Sequence, residues 1–123
     1  MTEIPALLRL ASNAASHAAN RQAVIATNVA NADTPGYRAK DVAPFAPASD
    51  DLPLRRTQAR HFAGTPSTPR IFEEQDAPAD PNGNTVALED QILRGIEASR
   101  DHNRALTVYR ASLDILRASI GRN

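Results

Sequence analysis

Small and apolar side chains recur near the start of the chain at Ile4, Leu8, Ala11, Ala15, Ala18, Ile25 and Val29, ending at Ala32. The steps alternate between four and three, with Gln22 the one polar interruption. That is the spacing of a helix carrying a single apolar seam. Pro5 falls in the first turn, where its missing N–H breaks no intrahelical bond. The pattern predicts a helical rod of roughly 40 Å at 1.5 Å per residue. Small residues fill the middle of its seam, so a partner helix could approach closely there.

A second seam near the other end reads Leu88, Ile92, Gly95, Ser99, His102, Leu106, Tyr109, Leu113, Leu116 and Ile120. It predicts a helix over 85–120, apolar at both ends and weak in the middle. Glu89 and Asp90 lie in the first turn, Arg117 lies in the last, and Gly121 follows as a stop. All three suit the helix dipole and C-cap preferences.

Between the two helices, over 43–84, apolar periodicity is lost. Seven of the nine prolines fall here, and Phe45, Phe62 and Phe72 stand alone among polar residues. This predicts extended chain and turns, with room for one short helix or hairpin. "DPNGN" at 80–84 is a turn signal delivering the chain into the last helix. So long a connection counts against a self-contained globule. The expected fold is mainly α: long N- and C-terminal helices pairing as a coiled coil around a Pro-rich, irregular middle. The expected divisions are 1–33, 34–84 and 85–123. Pairing would cover only part of each stripe. The rest must face other subunits, or the helices stay largely unfolded until a partner arrives.

Composition sharpens this picture. Apolar residues make up 41% of the 123, but alanine supplies many of them and aromatics only 4%. A large side chain contributes about 1.5–3 kcal/mol when fully buried, so a thick core is not expected. Fourteen basic and fourteen acidic residues balance to zero net charge, which gives no long-range pull toward nucleic acid or an anionic membrane. No stretch approaches the ~20 apolar residues of a membrane span. Glu3 sits where a basic leader region belongs and Arg9 interrupts the only apolar run, so no cleaved secretory signal is expected. Without cysteine there are no disulfides or thiolate metal sites.

Candidate chemistry is sparse. His17, His61 and His102 fall in three different segments without a ligand-type partner one helical turn away, so no metal or cofactor is expected. Asp33 and Asp41 lack an accompanying nucleophile and are assigned to capping or inter-subunit hydrogen bonds. Hydrolase, P-loop and zinc-protease strings are absent from the sequence. "RRTQARHF" at 55–62 is the one basic cluster. It reads as a solvated loop, or one pairing with acids such as Glu73 and Glu74 of another subunit. Arginine outnumbers lysine 13 to 1, which suits planar, two-pronged contacts at interfaces. An enzyme reading would need an ordered pocket holding His61 and Asp50.

The sharpest local signal is "NVANADTPGYRAKDV" at 28–42. Pro35 cannot continue a helix and drives Thr34 into extended geometry. Thr34-Pro35-Gly36-Tyr37 suits a type II turn, with proline second and glycine third. Asn31 and Asp33 can cap the last helical carbonyls, and Tyr37 begins an extended piece.

This string closely resembles the "NxANxxTPGY" signature of bacterial flagellar rod and hook-type axial proteins, and its "ADTPGY" form is most similar to the proximal-rod branch. "RTQARHF" resembles the family's Thr-x3-His segment through Thr57 and His61. The block from "PNGNTVALEDQ" onward resembles its C-terminal helix, with Ala87 departing from an often polar position. The resemblance covers about two-thirds of the chain and leaves the middle unmatched. It implies a non-enzymatic subunit that leaves the cytoplasm by flagellar type III export and stacks helically into a periplasmic drive shaft. Expected partners are further copies, other rod proteins, a base adaptor of the FliE type, and MS-ring and export-gate components. Asn28, Asn31, Asp33, Thr34, Pro35, Gly36 and Tyr37 would set the turn. The two seams would supply the helix-packing interface, in the chain and between subunits. The alternatives are another rod or hook-type protein, or a soluble coiled-coil regulator or secretion chaperone.

Overall fold

The computed structural model describes residues 3–46 and 69–121. Helix α1 spans Glu3–Ala30, strand β1 Lys40–Val42, strand β2 Ile71–Glu73 and helix α2 Leu88–Ile120. The chain is mainly helical, with two long helices packed against each other. They run antiparallel: Asn28 meets Gln91 at one end, a Cβ on Gly95 would stand 3.9 Å from Ile25, and Ala11 and Ala14 share a groove with Ala105 and Val108.

The seam of α1 follows the expected spacing through most of its length. Ala11, Ala18 and Ile25 are buried, and Ile4, Leu8 and Ala15 are half-buried. The departure comes at the end, where Asn28 is fully buried and Val29 lies exposed. In α2 the buried line is Gln91, Ala98, Ala105 and Ser112. That is one residue ahead of the expected Ile92, Ser99, Leu106 and Leu113. Gly95, His102, Leu106, Tyr109, Leu113 and Leu116 flank this line half-buried, whereas Leu88, Ile92 and Ile120 are exposed, Ile92 at 60% and Ile120 at 75%.

The cause of the shift is size. Helix separation depends on the side chains at the contact, and alanine facing alanine draws two backbones together. At that separation Ala98, at 0% exposure, fits the centre, and a leucine or isoleucine is pushed to the flank. Reading the pattern by hydrophobicity alone selects the larger side chains and misses the line beside them.

Strands β1 and β2 pair antiparallel, with Lys40 opposite Glu73, Asp41 opposite Phe72 and Val42 opposite Ile71. Ala43 N–H to Arg70 O at 2.8 Å and Glu74 N–H to Ala39 O at 3.0 Å extend the ladder at both ends. The pair packs beside α1, with Val42 buried and Ile71 and Phe72 exposed. His17 donates from Nε2 to the Ala43 carbonyl at 2.7 Å, and its ring lies against Phe45. The basic cluster at 55–62, with Thr57, His61 and Phe62, and Asp50 lie outside the described residues. Among the described residues, no helix is long and apolar enough to cross a membrane.

Enlarging the seam should therefore harm the fold more than stripping its exterior. Ala98→Leu is expected to destabilise the helix pair by about 1–3 kcal/mol through overpacking. Ile92→Ser should stay within about 0.5 kcal/mol. Urea unfolding followed by circular dichroism checks the order, and equal losses would contradict this seam.

Candidate functional site

The residues of the "TPGY" signature close the end of the helix hairpin. Helix α1 stops with Asn31 N–H on Thr27 O and Ala32 N–H on Val29 O, each at 3.2 Å. The Asn31 side-chain amide also donates to Thr27 O at 2.8 Å, and its oxygen accepts the Thr34 hydroxyl at 3.2 Å. Tyr37 N–H then reaches Thr34 O at 3.2 Å across Pro35 and Gly36. Gly36 has φ 73°, the left-handed value that a type II turn requires at its third position. Asp33 lies exposed beside the turn.

A second turn, fifty residues on, grips the first. Gly83, with φ 84°, donates to Asp80 O at 2.8 Å. A Cβ on Gly83 would lie in van der Waals contact with the Gly36 backbone, at 3.4 Å. Gly36 N–H donates to Asn82 O, and Thr85 N–H to Tyr37 O, both at 3.0 Å. Asn84, at 1% exposure, sends both amide hydrogens to carbonyls just past the end of α1, Asn31 O at 2.9 Å and Thr34 O at 2.8 Å. Its oxygen accepts Val86 N–H. Each of these carbonyls also accepts a backbone N–H within the first turn, Thr34 N–H on Asn31 O at 3.1 Å and Tyr37 N–H on Thr34 O at 3.2 Å, so the distant asparagine fills the second acceptor position of each.

Asn28 completes the junction. Its amide donates to Lys40 O at 2.7 Å and to Gln91 Oε1 at 2.9 Å. Its oxygen accepts from Lys40 N–H at 3.0 Å and from the Tyr37 hydroxyl at 3.2 Å. All four hydrogen-bonding positions of the side chain are filled. Thr85 contributes its hydroxyl to Ala39 N–H at 2.8 Å. Among the described residues, no buried side-chain nitrogen or oxygen lacks a partner. Most of these polar side chains tie one stretch of backbone to another.

Beside this neutral junction lies a charged one. Arg21 grips Asp41 with two prongs, Nε at 3.1 Å and Nη2 at 3.3 Å. Arg94 reaches the other face of Asp41 at 3.3 Å, Asp90 at 2.7 Å, and Glu74 just after β2. Burial alone would lower the Arg94 pKa, but the hydrogen bond and charge of Glu74, with Asp90 and Asp41, outweigh it and hold it above the ordinary value. The cation thus stays fixed at any working pH. Both helices and both strands meet on these side chains.

Sequence reasoning selected the Asn28–Tyr37 half of the site and treated Asp80–Asn84 only as a turn. It missed Asn84, Thr85 and Gln91 as its counterparts. Gln91, one heptad before Ala98, carried the available signal: a polar residue in line with an alanine seam. Among the described residues, no cluster of His, Asp and Glu is arranged to hold a metal.

A helical hairpin closed by mutual turns, with many of its large aliphatic side chains outside, has the form of an assembly subunit. The family described as "Flagella basal body rod protein" matches residues 8–38, from the second turn of α1 through the "TPGY" turn. The chain is 33% identical over 107 residues to the flagellar basal body rod protein FlgB of Agrobacterium fabrum, covering 79% of each. To the FlgB of Escherichia coli it is 31% identical, covering 87% of each. The chain belongs to the FlgB family of flagellar basal body rod proteins.

Two substitutions separate turn strain from lost hydrogen bonds. Gly36→Ala places a Cβ in open space and should cost only the left-handed backbone penalty, about 1–2 kcal/mol. Asn84→Ala leaves the Val86 N–H without its partner, at about 1–3 kcal/mol for a buried group, and takes one of two donors from each of the Asn31 and Thr34 carbonyls, so it should cost more than Gly36→Ala. Chemical denaturation of both variants tests the ranking.

Proposed function

We infer that this chain, a structural subunit of the flagellar basal body rod, joins its neighbours through the apolar faces its own helix hairpin leaves uncovered. The observation that carries the reading is the inversion of size across α2. Past Gln91, alanines and a serine occupy the buried line, while Leu88, Ile92, Leu93 and Ile96 stand outside at one end and Ile115 and Ile120 at the other. Leu7 and Leu10 of α1, Val108 of α2 and Phe45 add an apolar groove between the helices. Contiguous apolar surface of this kind marks an interaction site. With faces at both ends of one rod-shaped molecule, the contact between copies is heterologous, and such a contact continues as a helical filament unless it closes.

In this reading the turn 34–37 releases the chain from the helical layer and sends the middle segment outward. The chain assembles with other basal-body components. A base adaptor of the FliE type, the MS ring and the export gate are the proposed neighbours below it, and other rod proteins those above. Its proposed route is flagellar type III export without a cleaved signal, into the proximal, periplasmic part of the rod. The described ion pairs join elements within the chain, which leaves the apolar faces as the main attractive surface.

Ile92→Asp with Ile96→Asp places charge on the exposed stripe without touching the seam. The variant should keep the helicity of the parent in solution yet fail to restore motility to a strain lacking the protein. Swimming at the parental rate would remove that stripe as an interface. Gly36→Val forces a β-branched residue into φ > 0 and should abolish rod assembly while synthesis continues. Normal motility there would count against the role given to the turn.

A further inference from the structure

We propose that the open edge of β2 is the docking site for residues 60–62 of the same chain, which add to it as a third, antiparallel strand. It goes beyond subunit assembly, because it concerns what covers the chain's own sheet.

The two edges of this small sheet are treated differently. Ala43 N–H bonds to Arg70 O and Glu74 N–H to Ala39 O, and bonded pairs alternate along an antiparallel ladder. Positions 70, 72 and 74 therefore face β1, while Ile71 and Glu73 turn their backbone N–H and C=O groups outward. The same parity turns Lys40 and Val42 outward on β1, and there the edge is closed. Asn28 takes both the N–H and the carbonyl of Lys40, and the Asp41 carboxylate takes Val42 N–H. Among the described residues, no strand pairs with the outer edge of β2. Ile71, Phe72 and Glu73 are all exposed, and an exposed edge is a template for any extended chain. Among the described residues Glu73 also has no cationic partner, whereas Glu74 is held by Arg94.

Side chains decide what fits. Ile71 and Glu73 share one face of the strand. An added strand must set an apolar residue against Ile71 and a basic one, two positions away, against Glu73. Residues 47–68 offer that spacing twice. Arg60 and Phe62 supply it running antiparallel, with His61 level with Phe72. Leu54 and Arg56 supply it running parallel. Both stretches lie outside the described residues, and the length of chain between each and β2 selects one of them. A parallel addition needs a crossover, for which residues 57–70 are barely long enough. The antiparallel one needs a turn, and residues 63–70 carry Gly64, Pro66, Ser67 and Pro69. Joined by so short a connection, the segment meets its edge at a local concentration on the order of millimolar, ahead of a second copy in dilute solution. Covered in this way, the edge is closed to strand addition between copies.

The chain contains no cysteine, so introduced pairs read the docking in the purified full chain. His61→Cys with Phe72→Cys joins positions whose Cβ atoms would stand about 4.5–5.5 Å apart, close enough for a disulfide. It leaves the Arg60–Glu73 and Phe62–Ile71 matches intact. Arg55→Cys with Phe72→Cys reports the parallel alternative. Each pair is equilibrated against glutathione, and its effective concentration is divided by its value in urea, which removes the difference in loop length.

The 61–72 ratio should exceed the 55–72 ratio at least about tenfold, the factor carried by little more than one net hydrogen bond, with the disulfide inside the monomer. Glu73→Arg should lower the 61–72 ratio about twofold or more, and Arg60→Glu in the same chain should restore it. A 61–72 ratio near unity, or a larger 55–72 ratio, would overturn the proposal. So would disulfides formed between chains, which would make a second copy the occupant. A double charge swap that restores nothing would remove the assigned alignment. Motility plays no part in these readings, so they stand whether or not the exposed helix faces prove to be the rod interface.

Discussion

Helices can lie close together only where the side chains between them are small. Ala11, Ala18, Ala98, Ala105 and Ser112 meet that condition along most of this hairpin. Close approach has a consequence for everything else in the molecule. Burying alanine removes little apolar area, and stabilisation follows area at about 25 cal/mol per Å². The seam therefore holds the helices near each other without supplying the stability of a leucine core. The larger aliphatic side chains, displaced to flanks and outer faces, keep most of their transfer free energy unrealised until something covers them. In the proposed assembly, that remainder is what contacts between molecules would draw on.

What the seam lacks in apolar area, the end of the hairpin supplies in hydrogen bonds. Asn28, Asn84, Thr85 and Gln91 form a buried neutral network with every member satisfied, the condition under which buried polar groups specify a structure instead of weakening it. The Arg21–Asp41–Arg94–Glu74 network beside it is charged and only partly shielded, so solvent screens it and its pairs contribute modestly. Its value is directional. The fork of Arg21 fits both oxygens of one carboxylate, a geometry that a lysine point charge would not impose. Together the two networks fix where β1 leaves the helices and where β2 returns.

The two helices were legible because their signals are local and repeat over many residues. The α1 spacing held as far as Ile25 and failed at Val29, where the backbone of Lys40 and the side chain of Gln91 draw Asn28 inward instead. In α2 the flanks at His102, Tyr109 and Leu116 were found, but the centre was placed one residue late. Hydrophobicity ranks Ile92 above Gln91, whereas a narrow seam ranks by size and by available partners. The short strands were harder still. Lys40–Val42 and Ile71–Glu73 are three residues each, too short for a periodicity, and their pairing is non-local. The type II turn was readable from Pro35 and Gly36 alone, because that chemistry is confined to four residues.

What the turn is attached to could not be read the same way, and this bears on how the signature itself is understood. Pro35 and Gly36 explain why α1 stops, but they do not explain why the stop must occur against another part of the chain. The Gly36 N–H goes to Asn82, the Tyr37 carbonyl receives Thr85, and the carbonyls of Asn31 and Thr34 are taken by Asn84. The left-handed Gly83 rests on Gly36 itself. Each half presents polar backbone that the other half helps to satisfy. The family match over residues 8–38 therefore covers one side of a two-sided structure, and residues 80–91 supply the other. The second turn thus belongs to the same junction as the signature, because the bonds run between the two.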